Sequence, residues 1–261
     1  MKKREIHPQA VVAASAKLGD GVEIGAYAVV GEDVELGDCC VLHAHAIVGG
    51  PSKFGRNNAF YPFSAIGGDP QDYTYRGERA ELVAGDGNIF REYVTVSRGT
   101  QKGGGKTSLG DSNFFLAYSH VGHDCSVGSQ TLFVNGATLA GHVTVEDFAT
   151  IGAFSPVHQF CRIGRYAYIG ASTVITQDVP PFSLVVTERS TNSYGVNSIG
   201  LERKGFSKER LQVLGRAYRL LLRSKMNTSQ AVAEMRATLG ESEDVLELVS
   251  FIEAAERGIV K

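Results

Sequence analysis

The chain has 261 residues, enough for one large domain or two modest ones. Its formal net charge at pH 7 is −2, so no strong electrostatic field favours nucleic acid or a membrane surface as a partner. No stretch approaches the roughly 18 apolar residues of a membrane-spanning helix. The start, MKKREIHP, lacks the apolar segment of a secretory signal. We therefore expect a cytoplasmic protein with no integral membrane segment and no nucleic-acid partner.

An apolar anchor recurs every six positions in the first part of the chain. The period fits neither a 3.6-residue helix nor the simple alternation of one long strand. It fits short strands joined by corners and stacked in coils of about 18 residues, which bury a continuous core that no single repeat could bury. The anchors are Ile6, Val12, Leu18, Ile24, Val30, Leu36, Leu42, Val48, Phe54, Phe60 and Ile66.

Hexapeptide repeats with this signature resemble those of the left-handed parallel β-helix family. The period alone leaves the handedness of the coil open, and the resemblance implies a left-handed coil. We therefore predict a mainly β protein, a left-handed parallel β-helix (a hexapeptide-repeat solenoid), over residues 1–182. A connecting segment and an α-helical C-terminal domain follow over residues 183–261.

Two polar segments, residues 68–83 and 101–108, interrupt the repeat. We predict that both are loops inserted at corners of the solenoid. Long loops on a rigid scaffold often carry function, so we expect the first one to line a site. The repeat then continues to Val179-Pro180-Pro181, where proline removes hydrogen-bond donors from the strand ladder. Its anchors are Leu109, Phe115, Val121, Val127, Phe133, Leu139, Val145, Ile151, Val157, Ile163, Ile169 and Ile175.

Three of the four cysteines, Cys40, Cys125 and Cys161, fall in the repeat position reserved for small residues. There we expect compact buried thiols rather than disulfides, in keeping with a reducing compartment.

Beyond Gly205 the apolar period becomes helical. We predict a helix that Ser207 caps, a second helix from about Thr228 to Gly240, and a third from about Ser242 that ends by Gly258.

Four of the seven histidines cluster in the second run of the repeat. On a coil of about 18 residues, His123, Gly141 and Gln159 stack in one column on successive coils, with His142 and His158 one position to either side. The spacing of neighbouring strands brings these residues within roughly 5–10 Å of one another on one wall of the solenoid. His123 follows its anchor by two residues, so it lies near a corner and outside the core.

The cluster has three interpretations. The histidines are solvated surface residues, or they bind zinc, as in the gamma-class carbonic anhydrases, or one imidazole is a general base. The histidines lack the tight spacing of that zinc family, and no carboxylate is obviously placed to assist them. Histidine is the commonest base for activating a hydroxyl, and the backbone N–H of Gly141 is open to a developing oxyanion. We favour the general base and predict no metal.

The chain also carries longer motifs around these residues. They are His120-Val-Gly-His-Asp-Cys125, Ala137-Thr-Leu-Ala-Gly-His142, Val157-His-Gln-Phe-Cys161, Asp178-Val-Pro-Pro181, Gly195-Val-Asn197 and Gly200-Leu-Glu-Arg-Lys-Gly-Phe-Ser207. Together they resemble the acyl-[acyl-carrier-protein]–UDP-N-acetylglucosamine O-acyltransferases over essentially the whole chain. The resemblance implies a homotrimer with active sites between subunits and no cofactor beyond the phosphopantetheine of acyl carrier protein. It implies transfer of a 3-hydroxyacyl group to the glucosamine 3-position of UDP-N-acetylglucosamine, the first step of lipid A synthesis.

The same resemblance implies a role for each matching residue. His123 is the general base, Gly141 offers the oxyanion N–H, and Asp124 orients His123. Ala171 matches the position that helps to end the acyl channel, where a bulky side chain shortens the channel. The other matches are substrate-binding residues: Asp72, His120, His142, His158, Gln159, Asn197, Arg203 and Lys204.

The chain departs from the family pattern in three places. Thr74 replaces the usual lysine of the first loop, and Arg76, two residues later, is a candidate for the missing cation. Ser97 replaces a histidine that commonly precedes Arg-Gly-Thr. The segment 184–194 is one residue longer than usual. By the resemblance, these departures lie at the sugar-binding and acyl-binding ends of the site. They therefore bear on the identity of the acceptor and on the length of the acyl chain.

Three rival functions stay open from sequence. One is a related acyltransferase that uses the 3-amino sugar nucleotide, the second is a CoA-dependent acetyltransferase on the same scaffold, and the third is a non-catalytic solenoid scaffold. The helical tail and the Gly-Val-Asn motif favour the carrier-protein enzyme over the CoA enzyme. The complete histidine column disfavours the scaffold.

Overall fold

The computed structural model describes residues 4–187, 193, 195–255 and 259. The chain forms two compact units, residues 1–187 and 188–261. The first unit is the predicted left-handed parallel β-helix, with three parallel sheets that we name A, B and C. Successive strands enter successive sheets, so a strand pairs with those one coil before and one coil after it. In uninterrupted coils the paired residues are 18 apart, as in His120↔Thr138.

The strands are short because each covers one side of a triangular coil. Sheet A contains Glu5–Ile6, Glu23–Ile24, Val41–Leu42, Ala59–Phe60, Ile89–Phe90, Phe114–Phe115, Leu132–Phe133, Thr150–Ile151, Tyr168–Ile169 and Leu184–Val185. Sheet B contains Val11–Val12, Val29–Val30, Ile47–Val48, Ala65–Gly68, Thr95–Ser97, His120–Val121, Thr138–Leu139 and Pro156–Val157. Sheet C contains Lys17–Leu18, Val34–Leu36, Ser52–Phe54, Glu81–Ala84, Lys106–Leu109, Ser126–Val127, Thr144–Val145 and Arg162–Ile163.

The predicted anchors fill the interior of the solenoid, and from Ile24 to Ile175 they are buried. Phenylalanines stack along sheet A, with centroid distances of 5.2 Å for Phe60–Phe90 and 5.1 Å for Phe90–Phe115. Cys125 is buried as predicted, and burial raises the pKa of its thiol to about 12. The three cysteines of the small-residue positions are therefore core residues, as the repeat predicts.

The two insertions are shorter than predicted. Strands Glu81–Ala84 and Lys106–Leu109 extend into the segments 68–83 and 101–108, and strand Ala65–Gly68 ends the preceding side. The two insertions project from successive coils of the solenoid. The strands that follow them pair over four residues, from Glu81↔Lys106 to Ala84↔Leu109, and the longer ladder absorbs residues that the sequence assigns to loops. The first loop therefore covers residues 69–80, and the second covers residues 101–105.

The prediction that the repeat ends at the two prolines is wrong by one strand. Leu184–Val185 continues sheet A beside Tyr168–Ile169. Pro180 and Pro181 lie at a corner, where no ladder donor is needed, and Phe182 has a φ of 63° in the turn that follows. Residues 188–192 and 194, which complete the altered segment 184–194, lie outside the described residues.

The second unit contains four described helices: α1 (Ser198–Arg203), α2 (Lys208–Arg223), α3 (Thr228–Leu239) and α4 (Glu243–Glu253). The last three confirm the prediction, with Ser207 capping α2 through a bond from Arg210 N. Helix α1 is additional, because six residues are too few to show a helical period. Gly258, the predicted limit of the last helix, lies outside the described residues. None of the described helices combines the length and apolar composition that crossing a membrane requires.

Candidate active site

A groove of about 460 Å³ opens on sheet B and at its corner with sheet C. His123 lies at that corner, since strand His120–Val121 belongs to sheet B and Ser126–Val127 to sheet C. The next two coils contribute Gly141 and Gln159, as the 18-residue register requires. The groove lining includes Gln71, His120, His123, Gly141, His158 and Gln159.

Asp124 holds the His123 ring. His123 Nδ1 lies 2.8 Å from Asp124 Oδ2, although the two residues are neighbours in sequence. Asp124 adopts a left-handed backbone conformation, with a φ of 60°, which aspartate tolerates better than most residues. Its side chain is fully buried. A buried carboxylate that accepts from Nδ1 fixes the ring and leaves Nε2 as the basic nitrogen.

Thr100 and Thr107 fix Asp124 in turn. Thr100 N donates to Asp124 Oδ1 at 2.7 Å, and the Thr100 hydroxyl donates to Oδ2 at 2.7 Å. Asp124 N donates to Thr107 Oγ1 at 2.8 Å. Gly103 packs so closely that a Cβ there would lie 2.1 Å from the carboxylate carbon of Asp124. The second loop and the residues on either side of it therefore support the His123–Asp124 pair.

Gly141 lies directly against the His123 ring. A Cβ at Gly141 would lie 2.6 Å from His123 Cε1 and 2.8 Å from Nε2, so only glycine leaves room for this ring position. The Gly141 N–H has no backbone or side-chain acceptor among the described residues. A base and an open N–H donor therefore stand side by side, which is the geometry that stabilises an oxyanion next to a proton transfer.

A second column lies next to the predicted one. Asp124, His142 and Phe160 occupy equivalent corner positions on successive coils. His142 Nε2 lies 3.7 Å from Asp124 Oδ2, and the His142 ring stacks on Phe160 with a centroid distance of 4.6 Å. The His123 and His142 rings meet edge to face at 5.2 Å. His142 is therefore packed against the His123–Asp124 pair and is not part of the groove lining, whereas His158 lines the groove and is exposed.

His120 is held as a neutral imidazole. Its Nδ1 lies 2.8 Å from Thr95 Oγ1 on the preceding coil. Burial lowers the pKa of His120 below its usual value, and the charge on His123 acts in the same direction. A neutral imidazole can accept or donate a hydrogen bond without placing a positive charge beside His123.

The first loop brings Asp72 to the site. Thr74 donates to the Asp72 carboxylate from its backbone N–H at 2.8 Å and from its hydroxyl at 3.0 Å. These bonds lower the pKa of Asp72, and the charges of His123 and Lys102 act in the same direction. Asp72 is therefore held as a carboxylate, and its neighbour Gln71 lines the groove together with His123.

Arg76 makes no hydrogen bond to Asp72 among the described residues, and its role as the cation of this loop stays a prediction. Arg76 Nη1 donates to the carbonyl oxygens of Tyr73 and Tyr75, at 3.0 and 2.9 Å. Its Nη1 thus closes the turn of the loop itself. A nearby cation is Lys102 of the second loop, whose Nζ lies 3.0 Å from Thr74 Oγ1.

The structure also corrects the premise that no carboxylate accompanies the histidines. Ligand atoms of His123, Asp124 and His142 all lie within 4.8 Å of one another. However, both Asp124 oxygens already accept hydrogen bonds from Thr100, and the distance to His123 Nδ1 is that of a hydrogen bond. The geometry favours an orienting carboxylate, and the absence of a metal stays a prediction.

Ala171 of the first unit does not line this groove, and neither do three residues of the second unit, Asn197, Arg203 and Lys204. Ala171 precedes sheet B at its corner with sheet A, whereas His123 follows sheet B, so the two lie at opposite edges of that sheet. Asn197 Oδ1 accepts from Gly200 N and caps α1. Arg203 ends α1 and Lys204 follows it, both exposed. Their roles as ligands stay predictions.

Sequence reasoning missed Thr100, Thr107 and Lys102. Their contacts depend on how the two insertions fold, and an insertion breaks the 18-residue register that placed the histidines. The available signal was the Arg-Gly-Thr motif itself, in which Arg98 is buried and donates to the carbonyls of Gly50 and Gly67, at 2.6 and 2.8 Å.

A hexapeptide solenoid with a carboxylate-oriented histidine and an adjacent open N–H defines a transferase of the hexapeptide class. Residues 15–50 match the family model described as bacterial transferase hexapeptide (six repeats). Residues 178–260 match the model described as UDP N-acetylglucosamine O-acyltransferase, domain 2.

Proteins that are similar over the whole chain identify the family within this class. Proteins named acyl-[acyl-carrier-protein]–UDP-N-acetylglucosamine O-acyltransferase from Xylella fastidiosa and Alkalilimnicola ehrlichii are 52% and 53% identical to this chain over 256 residues. The alignments cover 98% of this chain and 97% and 99% of those proteins. The solved UDP-N-acetylglucosamine acyltransferase of Francisella novicida is 37% identical, with a TM-score of 0.68 over 98% of this chain and 93% of that one. The chain belongs to the UDP-N-acetylglucosamine O-acyltransferase family.

Proposed function

We propose that this protein transfers a 3-hydroxyacyl chain from acyl carrier protein to the glucosamine 3-hydroxyl of UDP-N-acetylglucosamine, the first step of lipid A synthesis, in the cytoplasm. The observation that carries the proposal is the His123–Asp124 pair beside the Gly141 N–H in the groove on sheet B. Family membership supports the substrates, because the relatives bear the name of this reaction.

The proposed reaction uses His123 twice. Nε2 removes the proton from the sugar 3-hydroxyl as its oxygen attacks the thioester carbonyl. The Gly141 N–H stabilises the negative oxygen of the tetrahedral intermediate. The carbon–sulfur bond then breaks, and the protonated His123 returns its proton to the phosphopantetheine sulfur. Asp124 stabilises the imidazolium during the interval between the two transfers.

The three outer faces of the solenoid support a homotrimer. Outward residues on sheet A are largely apolar, as in Val41, Ala59, Ile89, Phe114 and Leu132, and so are many on sheet B, as in Val11, Val29, Ile47, Ala65 and Pro156. Those of sheet C are mainly polar, as in Lys17, Glu35, Lys53, Ser126, Thr144 and Arg162. Two different apolar faces favour a head-to-tail contact that closes into a ring. Because the groove opens on sheet B, such a contact would place the site between subunits.

The helical unit offers a surface for the acyl donor. Arg216, Arg219 and Arg223 recur along α2 and line one groove of about 520 Å³. A row of cations suits an acidic carrier protein better than a free small thioester. This favours acyl carrier protein over acyl-CoA as the donor.

Competition between substrates tests the proposal. The purified protein is offered a 3-hydroxyacyl carrier protein and the matching acyl-CoA, each with UDP-N-acetylglucosamine and with its 3-amino analogue. We expect ester formation from the carrier protein and the hydroxyl acceptor at the highest kcat/KM. Preference for the amine, preference for CoA, or no transfer would each select one of the three rival functions instead.

Arg203 and Lys204 are expected to bind the diphosphate of the acceptor. Cations suit a diphosphate, and loss of one charged hydrogen bond weakens binding by roughly 10-fold or more. Arg203→Ala should therefore raise the KM for UDP-N-acetylglucosamine and the inhibition constant of UDP by about that factor. Lys208→Ala, a charge removed from the exposed start of α2, is the control. Unchanged UDP inhibition in Arg203→Ala contradicts the assignment.

Ala171 is expected to influence the preferred chain length. A single methyl group shortens an apolar channel only slightly, so we predict a medium-to-long 3-hydroxyacyl donor. One methylene in such a pocket is worth about 1–3 kcal/mol, or roughly 10–200-fold in kcat/KM. Donor profiles of Ala171→Gly and Ala171→Met should shift toward longer and shorter chains, respectively. If both profiles match that of the wild type, another residue ends the channel.

The reaction is expected to need no metal, because hydrogen bonds from Thr100 already occupy the Asp124 oxygens. Turnover should survive dialysis against a chelator, and elemental analysis should find no stoichiometric zinc. One zinc per subunit, with activity lost to the chelator and restored by zinc, would overturn this prediction.

A further inference from the structure

Lys102 of the second loop reaches across to the first loop, which contributes Gln71 to the groove lining. Its Nζ donates to Thr74 Oγ1 at 3.0 Å, and the same hydroxyl donates to the Asp72 carboxylate at 3.0 Å. Thr74 thus links the ammonium to the carboxylate without a direct ion pair between them in the described residues. Because an ammonium has three donors and Thr74 uses one, two remain for a ligand.

The backbone that carries Lys102 is tied to the catalytic pair. Gly103 N donates to Thr100 O and Thr100 Oγ1, both at 3.1 Å. Thr100 in turn binds both oxygens of Asp124, the residue that orients His123. The position of Lys102 is therefore coupled to the reacting centre through three consecutive contacts.

The other nearby cations are engaged elsewhere. Arg76 binds carbonyls of its own turn, Arg79 forms an ion pair with Asp33 at 2.8 Å, and Arg98 is buried on the carbonyls of Gly50 and Gly67. Among the described residues, Lys102 is the cation that bonds next to Asp72. Its exposed ammonium is available to a ligand.

We propose that Lys102 is a positioning residue for the acceptor, and that it donates to oxygen atoms of the sugar ring while Asp72 accepts from the sugar hydroxyls. This inference rests on the proposed function. Gln71, the neighbour of Asp72, lines the groove together with His123, so a sugar held between Lys102 and Asp72 is placed to present its 3-hydroxyl to the base. In this proposal two groups of opposite charge, a carboxylate and an ammonium, recognise the hexose of the sugar nucleotide. Neither group contacts the nucleotide.

The test compares K102Q with wild type and with K106Q, an exposed lysine at the start of the strand that follows the same loop. In K102Q we expect the KM for UDP-N-acetylglucosamine to rise by about 10-fold or more, the usual effect of losing a charged hydrogen bond. The KM for the acyl donor and the inhibition constant of UDP alone should stay within about twofold. K106Q should match the wild type throughout.

Relocating the charge separates positioning from a structural role. Positions 74 and 102 are in contact, so the double variant T74K/K102Q returns an ammonium beside Asp72 and should restore the acceptor KM. Any of three results overturns the inference. The first is an unchanged acceptor KM in K102Q, and the second is an equal loss of UDP binding. The third is a raised acceptor KM that persists in both T74K/K102Q and K102R. Wild-type protein that transfers no acyl group defeats the proposed function and this inference together. Wild-type activity that K102Q retains in full defeats only the inference.

Discussion

His123→Ala is expected to lower kcat by about 10²–10⁴ while the protein stays folded, because the general base is lost and the solenoid core is untouched. The side chain lies outside the core, at the corner between sheets B and C, and its ring contacts Gly141, Asp124 and His142. Steady-state kinetics at saturating concentrations of both substrates measure the change. Circular dichroism and the oligomeric state verify the fold.

A matched histidine separates this effect from the loss of any imidazole. His7 is exposed on the first coil, far along the chain from the cluster, and His7→Ala should keep wild-type turnover. If folded His123→Ala keeps wild-type kcat, His123 is not the base. The site would then act through another residue.

Gly141→Ala is expected to reduce kcat by about 10², although it adds only one methyl group. The new Cβ would lie 2.6 Å from His123 Cε1 and 2.8 Å from Nε2, a distance that real Cβ contacts do not tolerate. The ring must move, and a displacement of about 1 Å at a reacting group can cost that factor. The same methyl group also crowds the N–H that faces the developing oxyanion.

A double-mutant cycle identifies the cause. When Gly141→Ala acts by moving the His123 ring, it should add little to His123→Ala, so the two losses are far from additive. Gly215→Ala, at a helical glycine with open space around its Cβ, is the control for the substitution itself. Full additivity would assign Gly141 a role independent of His123. Wild-type kcat in Gly141→Ala would remove it from the site.

The fold was predictable because the six-residue period of the apolar anchors follows directly from the geometry of a three-sided coil. Anchors such as Phe60, Phe90 and Phe115 repeat in sequence and stack in space, so one rule placed most of the core. The rule failed where the chain leaves the coil. The strand Leu184–Val185 follows two prolines, and strands Glu81–Ala84 and Lys106–Leu109 extend into both insertions.

The same distinction applies to the site. The register placed His123 beside Gly141, and the structure confirms their contact. The register could not reveal the Asp124 contact, because sequence neighbours on a regular strand point apart. The left-handed backbone of Asp124 brings the two side chains together. Nor could the register reveal Thr100 or Lys102, whose positions depend on the folding of an irregular loop.

The most direct measurement is the structure of the product. Wild-type protein is incubated with a 3-hydroxyacyl carrier protein and UDP-N-acetylglucosamine, and the product is analysed by mass spectrometry and NMR. We predict one 3-hydroxyacyl ester on the glucosamine 3-oxygen, formed by wild type and reduced at least 10²-fold in His123→Ala. An acyl group on another atom, no acyl product with any donor, or equal product from His123→Ala would contradict the proposed function or its base.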